Sequence, residues 1–201
     1  MSTAVMLSAL LRTRTASLHG QLELLLGLPG AIHNQDEYVL WLGRFLGIYE
    51  PLERSLVAPR GWDALGLTLP VSHTDCLVDD LKALGVGPQG MSRIPRALLP
   101  DLTAFAHAFG AFYVMVGATL GGRLLLRDLK ARIGTPISGA TYFFGAQDDP
   151  TGPKWQDVKA ALDAFGREQP QRRAEVVAGA EGTFHAMLAW FAPFCVIAAS
   201  R

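Results

Sequence analysis

Apolar residues recur at steps of three and four along nearly the whole chain, which is the spacing of one face of a helix. Leu7, Leu11, Arg14, Leu18, Leu22 and Leu25 follow that rhythm and predict a first helix from about Ser8 to Leu26, stopped by Gly27 and Pro29-Gly30. A second helix is expected after Asn34 or Asp36 as N-cap, through Tyr38, Trp41, Leu42, Phe45 and Tyr49, with Pro51 kinking or ending it. The loop around Pro59-Arg60-Gly61 breaks the pattern, and a short third helix spans Asp75 to Leu84, closed by Gly85. A long apolar helix starts at Asp101 and reaches about Arg132, before Gly134; an irregular aromatic loop covers Gly139 to Asp149. Thr151 reads as an N-cap with Pro153 in the first turn of a helix ending at Gly166, and the last helix runs from about Arg172 to Phe191, before Pro193. No period-two run of β-branched residues, internal repeat or Pro-rich or Ser-rich linker interrupts this order. The expectation is one all-α domain over residues 1–201.

Composition narrows the partners. Half of the 201 residues are hydrophobic and 18% are charged, which is ample apolar surface to offset chain entropy and excludes disorder. Eighteen basic and eighteen acidic side chains cancel, so no net field concentrates a polyanion, and nucleic acid is not an expected partner. The two cysteines, Cys76 and Cys195, form no CxxC and suit a reducing cytoplasm. Ala4 to Leu11 is apolar but has no positive charge before it, so no signal peptide is expected. Leu102 to Gly122 contains no Asp, Glu, Lys or Arg and carries Gly117-x-x-x-Gly121, the pattern of a membrane span with a packing motif. His107 and Thr119 inside it, and amphipathic helices everywhere else, argue for a buried helix with no membrane span.

Several helical chemistries fail on their residues. No glutamate is followed three positions later by histidine, as a ferritin-type di-iron bundle requires, and HExxH, Walker and GxSxG motifs are absent. Gly85-Val86-Gly87-Pro88-Gln89-Gly90 fits GxGxxG in form, but it follows a helix and contains Pro88, whereas a dinucleotide loop follows a strand. Five scattered histidines cannot build a dense imidazole site, although a single imidazole can hold a haem iron. On the first helix the seven-residue step from Arg12 to His19 turns through ~700°, which puts both on one stripe ~10 Å apart. Glu23 lies one turn beyond, where its carboxylate can accept the ring N–H not used for metal. The same three residue types also make an ordinary solvated stripe.

The long helix adds a second signal. Gly110, Gly117, Gly121 and Gly122 crowd a segment with Tyr113, Met115 and Thr119, and each interior glycine costs ~1 kcal/mol against alanine. Either a neighbouring helix packs closely there, or a flat ligand lies where a Cβ would collide. Gly121-Gly122 would also let the helix kink.

Leu11-Arg12 and Leu18-His19, followed by Phe112-Tyr113-Val114-Met115-Val116-Gly117-Ala118-Thr119-Leu120-Gly121-Gly122, resemble the proximal and distal helices of heme oxygenases. The likeness continues through Phe143-Phe144-Gly145, Thr151-Gly152-x-x-Trp155, Thr183-Phe184 and Trp190-Phe191, and is greatest to the bacterial branch that supplies biliverdin to bacteriophytochromes. The resemblance implies a helical bundle with haem between the first, proximal helix and a glycine-kinked distal helix. It implies His19 as axial iron ligand, Glu23 as its partner, Arg12 on a propionate, and Gly117, Gly121 and Gly122 over the other face. Thr119 or Tyr113 would assist the glycines in catalysis. The implied reaction consumes oxygen and electrons from a donor such as a ferredoxin or flavin reductase, and releases biliverdin, carbon monoxide and ferrous iron. Haem is then both cofactor and substrate.

Two positions depart from that pattern: Ala118 stands where an acid or serine is usual, and Val116 where this bacterial branch often has glutamate. Among the other histidines, His33 and His73 are expected to cap or be exposed and His107 to pack in the core. His185 should pair with Glu181 on a helix surface and is the best alternative ligand. Trp155, Phe143 and Phe144 are expected in the core, with a haem-edge role as the alternative. Arg167, Arg172 and Arg173 form a solvated face or a reductase-docking patch. The competing readings are a haem carrier or sensor of the same fold, and an apolar-interface protein in which Gly117 and Gly121 mediate dimerisation and no haem binds. A helical enzyme of thiamine-type substrates would need a reactive thiol, and neither cysteine has a sequence neighbour to activate it.

Overall fold

The computed structural model describes residues 5–59, 61, 62, 67, 72–145 and 155–198. The expected N-cap at Thr151 and first-turn Pro153 lie outside them. Among the described residues every regular element is helical: α1 Leu7–Leu26, α2 Gln35–Val57, α3 His73–Ala83, α4 Pro88–Ser92, α5 Phe105–Thr119, α6 Gly122–Ile133, α7 Tyr142–Gly145, α8 Trp155–Glu168 and α9 Arg173–Ala198. Short 3-10 turns at Thr135–Ile137 and Pro170–Arg172 lead out of α6 and into α9.

Helix α9 is the platform. Its most extensive contacts are with α5 and then with α1, whereas α1 and α5 touch each other only slightly. Two glycines make the α5–α9 crossing close. A Cβ on Gly110 would overlap the Val176 carbonyl oxygen, and one on Gly179 would overlap the His107 carbonyl oxygen. This crossing accounts for Gly110 among the glycines of the long apolar stretch. Nearby, Trp41, Phe45 and Phe191 interlock, with Trp41 stacked on Phe191 at 6.1 Å between centroids. Helix α1 is fixed at its N-terminus by Asp163 of α8, which accepts from the Ser8 amide at 2.8 Å and the Ser8 hydroxyl at 2.9 Å.

Prolines do not end the helices they interrupt. Pro51 sits inside α2, and it lacks the N–H that would bond the Gly47 carbonyl. That carbonyl instead accepts from the Ala97 amide at 2.8 Å. Glycine at 47 lets the crossing segment come this near, since a Cβ there would lie 2.6 Å from the Pro95 carbonyl oxygen. Pro193 is likewise carried inside α9, which runs on past the end expected at Phe191. Here Arg44 of α2 stacks 3.5 Å from the Trp190 ring, donates to the Trp190 carbonyl, and receives the indole N–H on its own carbonyl at 2.9 Å. The Ala97 amide thus satisfies the carbonyl that Pro51 orphans, and Arg44 ties the backbone just before Pro193 to α2.

The long apolar helix divides. Asp101 does not open it: its carboxylate accepts from the Thr103 amide at 2.9 Å in a turn, and α5 starts at Phe105. The helix breaks at Leu120 and Gly121, and α6 leaves at 40° to α5. Among the described residues no single helix is long and apolar enough to cross a membrane; α5 and α6 pass that test only as a bent pair, and α5 is buried from Ala108 to Val116.

Two buried carboxylates supply caps that the sequence reading lacked. Asp80, wholly buried, accepts the Tyr142 and Phe143 amides at 2.9 Å each and so creates α7 inside the segment expected to be an irregular loop. Burial raises the Asp80 carboxyl and these two bonds hold it down in part. Glu53 accepts the His73 amide at 2.7 Å and the Thr74 amide at 3.1 Å, starting α3 at His73 with Ser72 as N-cap, not at Asp75. His73 is therefore not exposed but 4% accessible, its Nδ1 3.1 Å from Glu53. Helix α3 closes as expected, with Gly85 at a φ of +84°, and Pro88 opens the short α4, so Gly85–Gly90 forms no phosphate loop.

Burial pushes the Glu53 carboxyl up, but the His73 and Thr74 bonds outweigh it and leave it below the ordinary glutamate range. A depressed carboxylate stabilises the fold above its unfolded-state pKa, and that stability is lost as pH falls through the folded value. Glu53→Gln is therefore expected to lower the urea midpoint at pH 7 and to flatten its decline between pH 5 and 3, measured against the wild type by circular dichroism.

Candidate functional site

Because α1 and α5 both pack on α9 and barely on each other, a slot opens between them. It encloses about 670 Å³, within the usual span of small-molecule sites. One wall is the α1 stripe Arg12, Thr15, Ala16, His19, Leu22, Glu23 and Leu26, spaced by three and four residues on a single face. The opposite wall is α5 and the helix break, with Tyr113, Val114, Gly117, Ala118, Leu120 and Gly121; Leu125 of α6 extends it. Phe184 and Met187 of α9 form the floor, and Trp155 of α8 closes one side.

His19 is the one imidazole in this lining. Its side chain is 54% exposed, Nδ1 lies 3.4 Å from Glu23 Oε2, and its ring meets Phe184 edge to face at 6.0 Å. Arg12, the lone guanidinium of the lining, has no carboxylate partner among the described residues, whereas Arg14 on another face is bound to Glu181 at 2.8 Å. Tyr113 is buried beside Trp155, with ring centroids 5.2 Å apart. Burial raises its phenol, and the Thr15 hydroxyl and the charge of Arg12 offset part of that, so it remains a neutral hydrogen-bonding group near neutral pH.

The glycines separate by cause. A Cβ on Gly117 would rest 3.5 Å from Trp155, an ordinary contact, and one on Gly121 would meet nothing within 4 Å. No neighbouring helix demands glycine at either position; the empty space they face is the slot. Close packing against another helix of this chain therefore accounts for Gly110 but not for Gly117 or Gly121.

The slot brings together Arg12, His19, Glu23, Tyr113, Gly117 and Gly121. It does not include Gly122, which is buried as the first residue of α6, or Thr119, whose hydroxyl donates to the Val116 carbonyl at 2.8 Å. Two residues past Gly117 on a helix is a turn of ~200°, so Thr119 belongs to the opposite face. Val116 is buried and outside the lining, and only Ala118 of the two departing positions borders the slot. His33 is exposed and 3.0 Å from Glu37. His185 is exposed and outside the slot, and its expected partner Glu181 is held by Arg14. Arg172 pairs with Glu175 at 3.0 Å and Arg173 donates to the Val5 carbonyl, so the basic cluster is partly self-satisfied. Cys76 is pushed up to about 11, first by burial and then by surrounding carboxylates including Asp80 and Glu53, the reverse of an activated thiol.

Thr15, Ala16, Leu22, Leu26 and Met187 join the site without having been singled out in the sequence. The first four were within reach, because they fill the stripe that Arg12, His19 and Glu23 define. Met187 comes from a helix whose approach only the α5–α9 crossing determines.

A planar iron porphyrin fits this donor set: one imidazole projecting from one wall, bare backbone opposite, apolar floor, and an unpaired cation at an edge for a carboxylate. Residues 5–193 match the family model described as heme oxygenase, and the chain belongs to that family. A protein of Xanthomonas campestris pv. campestris (strain 8004), named heme oxygenase, is 32% identical over 108 residues, covering 54% of this chain and 60% of that protein.

The assignment of the glycines has a direct check. Gly110→Ala is expected to lower stability by about 1–3 kcal/mol, the range of overpacking. Gly117→Ala and Gly121→Ala should leave the chemical-denaturation midpoint at or slightly above the wild-type value.

Proposed function

We propose that the protein is a heme oxygenase that opens haem to biliverdin with release of carbon monoxide and ferrous iron. The observation that carries this reading is the facing of His19 by two glycines that no protein neighbour requires, across a slot lined by one guanidinium. Haem, when bound, supplies the iron that activates oxygen and the ring edge that is oxidised. The electrons come from an external donor, for which a ferredoxin or a flavin reductase is the class of partner.

In this reading His19 presents Nε2 to the iron while Nδ1 turns to Glu23, whose carboxylate fixes the ring tautomer and raises its basicity. Arg12 holds a propionate by charge-assisted hydrogen bonds, and Tyr113, kept neutral by burial, adds an uncharged donor at the same end. Leu22, Leu26 and Leu125 would give apolar contacts to the macrocycle. Gly117 and Gly121 leave room beside the ring for oxygen and ordered water. With alanine at 118, the proton path there runs through water and main-chain groups, and Thr119 is turned away from it.

Ala118 also favours a second reading, a haem carrier or sensor of the same fold with little turnover. The two are told apart by adding hemin, recording the Soret band, then supplying ascorbate or a reductase under air. Growth of biliverdin absorbance supports the oxygenase; a stable Soret band with no biliverdin leaves the carrier; no Soret change removes both. His19→Ala is expected to keep the fold and lose the axial imidazole signature. Arg12→Ala is expected to weaken hemin binding about tenfold or more, the worth of a hydrogen bond to a charged group. Ala118→Ser should change turnover more than affinity, and equal changes in both would refute the distal argument.

A further inference from the structure

The plane of the His19 ring has to be fixed by something outside its own side chain. The terminal torsion of histidine joins an sp³ to an sp² carbon and has a broad, roughly two-fold profile, so neighbours decide where the ring stops. Two are present. Glu23 is 70% exposed and its oxygen is 3.4 Å from Nδ1, longer than a good hydrogen bond, so it constrains the ring weakly. Phe184 is 5% exposed and meets the imidazole at 6.0 Å between centroids with the planes at 78°. This is the T-shaped geometry that aromatic pairs prefer.

Phe184 is itself firmly held. Glu181, three residues before it on α9, is tied to Arg14 of α1 at 2.8 Å, and the adjacent Thr183 hydroxyl donates to the Gly179 carbonyl at 2.8 Å. Gly179 is the residue at which α9 makes its close crossing with α5. The ring that meets His19 thus stands five residues from the close crossing at Gly179 and one turn from an ion pair joining the platform to the histidine's own helix.

We propose that Phe184 is a positioning residue for iron ligation: its edge-to-face contact sets the plane in which the His19 imidazole is presented to the porphyrin. The role rests on His19 holding the iron as described above. It assigns to a floor residue the orientation that the weak Glu23 contact cannot hold by itself.

The test uses the full chain with Phe184→Leu, which keeps an apolar side chain of moderate size, and Phe184→Tyr, which keeps the ring. In the ligand-free protein the His19 ring C–H resonances, identified by their loss in His19→Ala, are expected at ring-current-shifted positions in the wild type and Phe184→Tyr, and to move toward free-histidine positions in Phe184→Leu. With hemin bound, Phe184→Leu should retain imidazole ligation but show altered and broadened ferric electron paramagnetic resonance g-values. Its hemin dissociation constant should rise about threefold to tenfold, the equivalent of one lost aromatic pair, with recovery in Phe184→Tyr. Wild-type ring resonances and g-values in Phe184→Leu would overturn the proposal. So would equal disturbance in the leucine and tyrosine variants, which would mark a packing role alone. A wild-type Soret band that does not depend on His19 would refute the ligation reading, and the ligand-free resonances would still report whether Phe184 orients the ring.

Discussion

The close crossing of α5 over α9 is the constraint from which the site follows. Gly110 and Gly179 let the two backbones approach until each glycine faces a carbonyl oxygen of the other helix. Helix α1 lies on the same platform, and because it packs on α9 and hardly on α5, the two outer helices stand apart with the α9 surface exposed between them. A slot between helices usually collapses, since filling it gains dispersion contacts. Here the spacing is held from below by the crossing, and at the end of α1 by Asp163 gripping Ser8.

Glycine has three separate uses in this chain. At Gly110 it allows helix contact, at Gly117 and Gly121 it keeps main chain bare toward the slot, and at Gly47 it admits the segment whose Ala97 amide satisfies a carbonyl orphaned by Pro51. The sequence shows the crowding but not the cause at each position, because cause depends on what stands opposite. This is why the pattern Gly117-x-x-x-Gly121 reads equally well as a packing motif and as a ligand face until the neighbours are known.

The all-helical class, the limits of α1, the starts of α2 and α9 and the shared stripe of Arg12, His19 and Glu23 were legible, since they rest on local periodicity and caps. Misplaced features have long-range causes. Asp80 caps Tyr142 and Phe143 from more than sixty positions away. Pro51 is tolerated because the Ala97 amide, from a distant segment, satisfies the carbonyl it orphans. A kink was expected at Gly121-Gly122; the break falls at Leu120–Gly121 and buries Gly122 as the first residue of α6, while Thr119 is excluded because it lies on the face of α5 opposite Gly117. His73, expected to cap or be exposed, does stand at a helix start, but its burial could not be read locally because its partner, Glu53, lies on another helix.

That break also gives α6 an unusual dependence. Having left the line of α5, α6 rests chiefly on α7, and α7 exists because the Asp80 carboxylate of α3 gathers its first amides. The wall that Leu125 contributes is hence suspended from α3, a helix that touches no part of the slot. The architecture has a side built on the platform and a side anchored through α7, whose amides the Asp80 carboxylate holds and whose Phe143 and Phe144 pack on α2. Residues of α3 are accordingly mechanical neighbours of the slot, though neither sequence nor proximity would pair them with it.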